Sequence, residues 1–477
     1  MTEQLELEDM QGLLVRGYGT LPAATYLLLR IHDVPAARRG LADWADGVTS
    51  AERAPAGTAL NIALTAAGVA ALSPGGRLPA GFSEPFADGM VTPYRSRLLG
   101  DVGDDDPVRW AWGGPGEPVS ALVLLYAADA DTMSGAVAEA TRHASGNGMS
   151  VVRQLLTEPL SDTEPFGFRD GLSQPTMEGL PRATAGGEAV RAGEFVLGYP
   201  NEYGLLTERP LLAPELDPGR LLPPDPAGSG AADLGRNGSY LVLRQLRQDV
   251  PAFRDFVDRA TGGPDGTADA QAGELFAAKL VGRWRSGAPL TLSPDHDDPA
   301  LAEVNDFGYH QLDADGLRCP IGAHIRRANP RDSLEPGPGT ERSREVNRRH
   351  RLLRRGRGYA ADGEQGLHFL CLNANLRRQY EFVQHSWVND PSFNGLVGSA
   401  DPLVGARGDA GTTFCEPALP VRHRYLGLPR FVHVRGGGYF FLPGIRALRY
   451  LASLPDPIPS APIPTAPIPT APSPTAR

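Results

Sequence analysis

The 477 residues carry 46 basic against 56 acidic side chains, a formal charge of −10, with 41% apolar residues, 57 glycines and 45 prolines. That is ordinary globular usage and enough chain for two large domains or about three smaller ones, and no run of about eighteen apolar residues exists to make a membrane-spanning helix. The acidic start lacks an apolar signal core, and Cys319, Cys371 and Cys415 are too scattered for a disulfide framework or zinc knuckle, so a cytoplasmic protein is expected.

In chain order, Ala24–Ile31 is a continuous apolar run of strand length, Pro35–Asp46 has helical spacing, Leu60–Leu64 is a second strand and Thr65–Leu72 a second helix. Ser120–Ala127 and Ser150–Leu156 are further strands around a helix over Asp131–Ala144, capped by Asp131 or Thr132. This reads as an α+β unit, a four-stranded sheet with helices on one face. A Gly/Pro-rich stretch from about Glu178 to Gly235 predicts long surface connections. The pattern then restarts with a strand at Tyr240–Leu246 and a helix whose opening turn holds Asp249 and Pro251. Gly366–Ala374 is another strand and Arg377–Trp387 a helix. Phe431–Val434 and Tyr439–Leu442 predict a hairpin turning at Gly436–Gly438. The chain divides into 1–175, a connecting region 176–236, a second half 237–452, and a Pro-rich tail 453–477 whose APIPT repeats predict an extended, solvated or tethering segment.

The ten histidines show no zinc-protease spacing, and there is neither a Gly-x-Ser-x-Gly elbow nor a phosphate-binding loop. The basic residues are concentrated: between Arg318 and Arg357 twelve arginines face four acids, a local +8 that leaves −18 elsewhere. An acidic chain with one arginine island is not expected to bind nucleic acid; the island calls for a local anion. Inside it, CPIGAHIRRANPRD (Cys319–Asp332) surrounds His324 with Arg326, Arg327 and Arg331. These cations are expected to push the imidazole pKa down and keep it neutral, the form a metal or haem iron needs. Arginines two, three and seven residues on could meet two carboxylates. A structural histidine on a basic surface is the alternative. EPFGFRDGLSQP (Glu164–Pro175) holds Asp170-Gly171, alone an ordinary turn, and in RHRLLRRGRGYA (Arg349–Ala360) Arg354 alone is part of a solvated basic face.

Together these segments resemble the dye-decolorising peroxidase family, through GxxDG at Gly167–Gly171, HIRRANPR at His324–Arg331 and RHRLLRRG at Arg349–Gly356. Asn237–Phe253, Gly366–Trp387 and Val434–Gly444 are similar to the longer, intracellular branch of that family, and the resemblance runs over about residues 10–452. It implies an α+β fold of two tandem ferredoxin-like halves, of the dimeric α+β barrel type, with haem b held mainly by the second. It implies His324 as the proximal iron ligand, Asp170 as the distal acid–base, Arg354 as the distal arginine and Arg331 as the propionate-binding arginine. A carboxylate usually backs the histidine: Asp401 by position, with Glu381 in reserve. The sequence departs from the family at Gly358 and Ala360, where proline and glycine are more usual. The implied activity is a peroxidase in which hydrogen peroxide oxidises dyes, phenolic and other aromatic reductants, with Trp387 and Tyr380 as candidates to relay an electron to the surface. Two other readings stay open, a haem-dependent oxygenase or tailoring enzyme for one metabolite and a haem-binding or carrier protein. No membrane partner is expected. Homo-oligomerisation and a partner tethered by the tail stay open.

Overall fold

The computed structural model describes residues 4–116, 118–180, 189–263, 267, 269–406 and 412–455. The Pro-rich tail beyond Pro455 therefore lies outside the described residues.

The first half is built from β1 (Ala23–Ile31), α1 (Val34–Gly47), β2 (Thr58–Leu64), β3 (Ala121–Ala127), α2 (Ala130–Gly146) and β4 (Met149–Leu156). Its strands lie in the order β4-β1-β3-β2, all antiparallel. That is the βαββαβ arrangement of a ferredoxin-like fold. Asp129, not Asp131 or Thr132, caps α2: its carboxylate accepts the Thr132 N–H at 2.8 Å, leaving Asp131 in the first turn, where its charge favours the helix dipole.

The second half repeats the order with β5 (Ser239–Gln248), α3 (Val250–Thr261), α4 (Ala270–Val281), α5 (His324–Ala328), β6 (Leu353–Arg354), β7 (Arg357–Ala361), β8 (Glu364–Asn373) and β9 (Val432–Leu442), followed by α6 (Ile445–Ser453). Asp249 caps α3 through the Ala252 N–H at 3.0 Å, with Pro251 in the opening turn. β8 pairs with both β6 and β7, β5 lies between β8 and β9, and β9 meets β2 at Phe441–Leu64, so the halves share one nine-stranded sheet. Its free edges draw together: the Glu158 N–H donates to Gly358 O at 2.9 Å, and His368 Nε2 donates to Leu156 O at 3.0 Å. Gly358 and Ala360, the departures from the family pattern, sit in the regular strand β7, opposite Leu367 and Gln365.

Both faces of the sheet are covered, which is why its strands read as continuous apolar runs rather than alternating ones. Leu28, Leu124, Leu243 and Leu372 pack into one core, while Leu27, Val123, Val242 and Cys371 pack into the other with α1, α2 and α6.

Two further expectations change. The hairpin is instead the single strand β9, with a bulge between Val434 and Gly436. Its glycines serve close approach rather than a turn: a Cβ at Gly436 would lie 2.4 Å from Trp112 Nε1. The Gly/Pro-rich connection is not a surface segment throughout. Phe195, Val196, Leu197 and Tyr199 are buried, and Arg209 is held between Asp225 and Asp233 at 2.5 Å each. Proline and glycine stop the backbone from repeating, but they do not stop apolar side chains from reaching a core.

Candidate active site

His324 opens α5, and Ile325 beside it packs onto Gly282 at the end of α4. A Cβ at Gly282, whose φ is +106°, would lie 2.4 Å from Ile325 Cγ1, so glycine lets the two helices meet. Nδ1 of His324 lies 2.9 Å from Oδ2 of Asp401, which is fully buried; the other carboxylate oxygen accepts the N–H groups of Leu403 and Val404, each at 2.9 Å. A neutral imidazole donating from Nδ1 leaves Nε2 as a lone pair, and no described residue hydrogen-bonds to Nε2. Burial alone pushes the imidazole pKa down, but the charge of Asp401 and its hydrogen bond outweigh burial and hold it above its ordinary value. Burial likewise raises Asp401, and His324 and Arg327 more than offset this, so the carboxylate titrates below its usual range.

That corrects the expectation that neighbouring arginines depress the histidine. Arg326 turns away to Asp313 at 3.0 Å and Cys319 O at 2.7 Å, and Arg327 donates to Trp387 O at 2.7 Å and Asp390 O at 3.0 Å. On this short helix, adjacent side chains fan out by about 100° each, so neighbours in sequence do not share a face. Glu381, the reserve carboxylate, is engaged elsewhere: it takes Arg95 at 2.9 Å and the Tyr439 hydroxyl at 2.9 Å.

His324 borders a cavity of about 310 Å³ against the sheet face formed by Leu246, Phe369 and Val434 of the second half. Asp170, Arg354 and Arg331 border the same cavity; Asp401 stands behind His324. Asp170 reaches it on a turn that needs glycine. Gly167 has φ +93°, and a Cβ there would lie 2.6 Å from Arg285 Nη1. Oδ1 of Asp170 and Nη1 of Arg354 are 3.7 Å apart, a charge pair longer than a hydrogen bond, each side chain about one-third exposed. Arg354 is aimed by other bonds: Nη2 donates to Leu172 O at 2.6 Å, and its N–H to Gln174 Oε1 at 3.1 Å. Arg331 donates from Nη1 to the carbonyls of Asn305 at 2.7 Å and Phe307 at 3.1 Å, and no carboxylate pairs with it among the described residues.

Glu164 also lines the cavity and escaped the sequence reading. It accepts the N–H groups of Phe166 at 3.0 Å and Phe168 at 2.9 Å and the Gln248 amide at 2.5 Å, shaping the turn before Asp170. Burial, with Asp170 adding to it, raises its pKa despite these bonds. The cue, a glutamate opening the EPFGFRDG segment, was there, but its partner Gln248 is remote in sequence. Tyr380 lines the cavity; Trp387 does not, packing against His350, Phe382 and Phe393 with ring centroids 5.0, 5.5 and 6.5 Å away. Both rings are buried. They lie on a widened helical segment (Arg377–Glu381, Val383–Val388) with bonds such as Glu381 N–H to Leu376 O at 2.9 Å.

The described residues hold no cluster of three or more His, Cys, Asp or Glu side chains suited to a bare metal ion. One histidine with a free Nε2, apolar walls and an arginine lacking a carboxylate suit an iron carried in an apolar ring with acidic substituents.

No family model matches the chain. A dye-decolorising peroxidase of Exidia glandulosa is 31% identical over 299 residues, 60% of this chain and 55% of that protein. The dye-decolorising peroxidase msp1 of Mycetinis scorodonius is 28% identical over 437 residues, 83% of this chain and 77% of that one. The crystal structure of a decolorising peroxidase from Auricularia auricula-judae superposes with a TM-score of 0.76 at 25% identity, over 94% of this chain and all of the other. The chain is similar to dye-decolorising peroxidases in both sequence and fold. The matched stretch covers about half of the Exidia peroxidase and about three quarters of msp1, while the Auricularia peroxidase is covered along its whole length. Among the described residues, no helix is long and apolar enough to cross a membrane.

Proposed function

We propose that the chain is a haem b peroxidase in which hydrogen peroxide oxidises dyes, phenolic and other aromatic compounds. The observation that carries this is the single cavity onto which His324, Asp170, Arg354 and Arg331 all open. His324 would hold the iron through Nε2 and Arg331 a carboxylate of the ring; haem so held supplies the redox-active iron. Asp401 keeps the Nδ1 proton in place and thereby orients the imidazole. Asp170 takes a proton from one peroxide oxygen and returns it to the other, which leaves as water. Arg354 offsets the negative charge that grows on the leaving oxygen, in a cavity whose apolar walls leave little water to compete. The division at 175 and 236 separates the half that supplies Asp170 from the half that supplies the other four residues. A cytoplasmic location is supported by three cysteines that are all free thiols. A tethering role for the tail is tested by truncation after Ser453 and a pull-down.

The purified chain should show a Soret band that changes on addition of hydrogen peroxide. His324→Ala should lose most of its bound haem, measured as the ratio of Soret to protein absorbance. Full haem content and full dye oxidation in that variant would remove His324 as the ligand.

A further inference from the structure

Ser173 and Arg331 are both in the left-handed region, with φ of +60° and +55°, and they touch: Arg331 Nη2 donates to Ser173 Oγ at 2.9 Å. For side chains other than glycine this conformation is costly, and two such residues in contact at a cavity wall mark a place where the surroundings hold the backbone. Ser173 lies three residues after Asp170, on a strap that the second half grips. Arg351 donates to Ser173 O at 2.7 Å, and Arg354 to Leu172 O at 2.6 Å. Of the five N–H groups of Arg331, two go to carbonyls and one to the serine hydroxyl, which leaves Nε–H and one Nη2 hydrogen for a ligand.

We infer that Ser173 is a positioning residue whose hydroxyl aims the Arg331 guanidinium and, through the same bond, seats the strap bearing Asp170. The inference rests on the haem reading above. Its consequence is that the grip on the cofactor's carboxylate and the placement of the distal acid–base are one coupled arrangement across the two halves.

Glycine and asparagine at 173 separate the hydroxyl from the backbone. Glycine adopts φ +60° without strain, so if only the backbone matters Ser173→Gly is neutral or stabilising. Asparagine also tolerates this region and offers an oxygen to Arg331. In the full-length holoprotein, Ser173→Gly should release haem b to excess apomyoglobin about ten-fold faster than the wild type, the size expected for one hydrogen bond to a charged donor. The peroxide-driven change in its Soret band should slow by a similar factor at every pH from 4 to 8. Ser173→Asn should recover both to within about three-fold, and in an Arg331→Ala background Ser173→Gly should add nothing. Wild-type behaviour in Ser173→Gly, failure of asparagine to rescue, or an undiminished effect in the Arg331→Ala background overturns the inference alone. A wild-type chain that takes up no haem overturns the functional reading and this inference with it.

Discussion

His324 shows how far a residue's neighbours in sequence can mislead about its electrostatics. Three arginines follow it within seven positions, yet its charge partner is Asp401, which lies on a different segment of the second half. Around Asp170 the separation is wider still, since Arg354 and Gln248 come from the other half. If the assigned roles hold, Asp170→Asn and Arg354→Leu each slow the peroxide reaction by about 10² to 10³-fold while haem content stays at the wild-type level. Stopped-flow absorbance measures the first and the Soret ratio the second; unchanged rates would remove these residues from the chemistry. Two histidines outside the cavity set a pH dependence of stability. Burial lowers His350 and His368 from 6.5 to about 4 each, so both stay neutral in the fold while the unfolded chain takes up protons near 6.5. Their contribution is fully present above pH 6.5 and is lost as the pH falls towards 4, by up to about 3 kcal/mol apiece. Melting temperature should therefore drop over that interval, and less steeply in His350→Gln.

At the scale of elements, the sequence read the strands and helices well because most of them are bounded by local chemistry. Asp33, Thr65 and Asp249 cap helices with their own side chains, and the strands are long apolar runs between turn residues. β9 failed to read correctly because three consecutive glycines suggest a turn whenever their neighbours are unknown. The neighbours decide otherwise: Trp112 crosses Gly436 and donates its indole N–H to Gln245 at 2.8 Å. Gly436→Ala should destabilise the protein by about 1–3 kcal/mol, read as a shift of the denaturant midpoint, since Trp112 has to move to admit a methyl group. No change in the midpoint would mean that the glycine is there for another reason.

For the molecule as a whole, the joint between halves is more than the Phe441–Leu64 pairing. Arg244 of β5 reaches across to Asp101 of the first half with bonds of 2.8 and 2.5 Å, and both side chains are buried. Removing one partner of such a pair strands the other charge, so Asp101→Ala should cost about 3–5 kcal/mol. Because the halves share a sheet and this buried pair, the wild type should unfold in one transition, with tryptophan fluorescence and far-ultraviolet circular dichroism changing together. Separate transitions for the two signals would show that a partly folded intermediate is populated and that the unfolding is not a single cooperative event.

The sequence by itself determined the α+β class, most element positions, and the three segments whose resemblance named His324, Asp170, Arg354 and Arg331. Periodicity, caps and short motifs are properties of a few consecutive residues, and they survive in the linear chain. Only the tertiary structure decided that the acidic partner of His324 is Asp401 rather than Glu381, that Arg326 and Arg327 face away from the cavity while Arg331 borders it, and that Glu164 and Ser173 shape the approach to Asp170. Those facts rest on side-chain direction and on contacts between residues far apart in sequence. A charge or a hydrogen bond acts across a few ångströms of space, however many residues of chain separate its two ends.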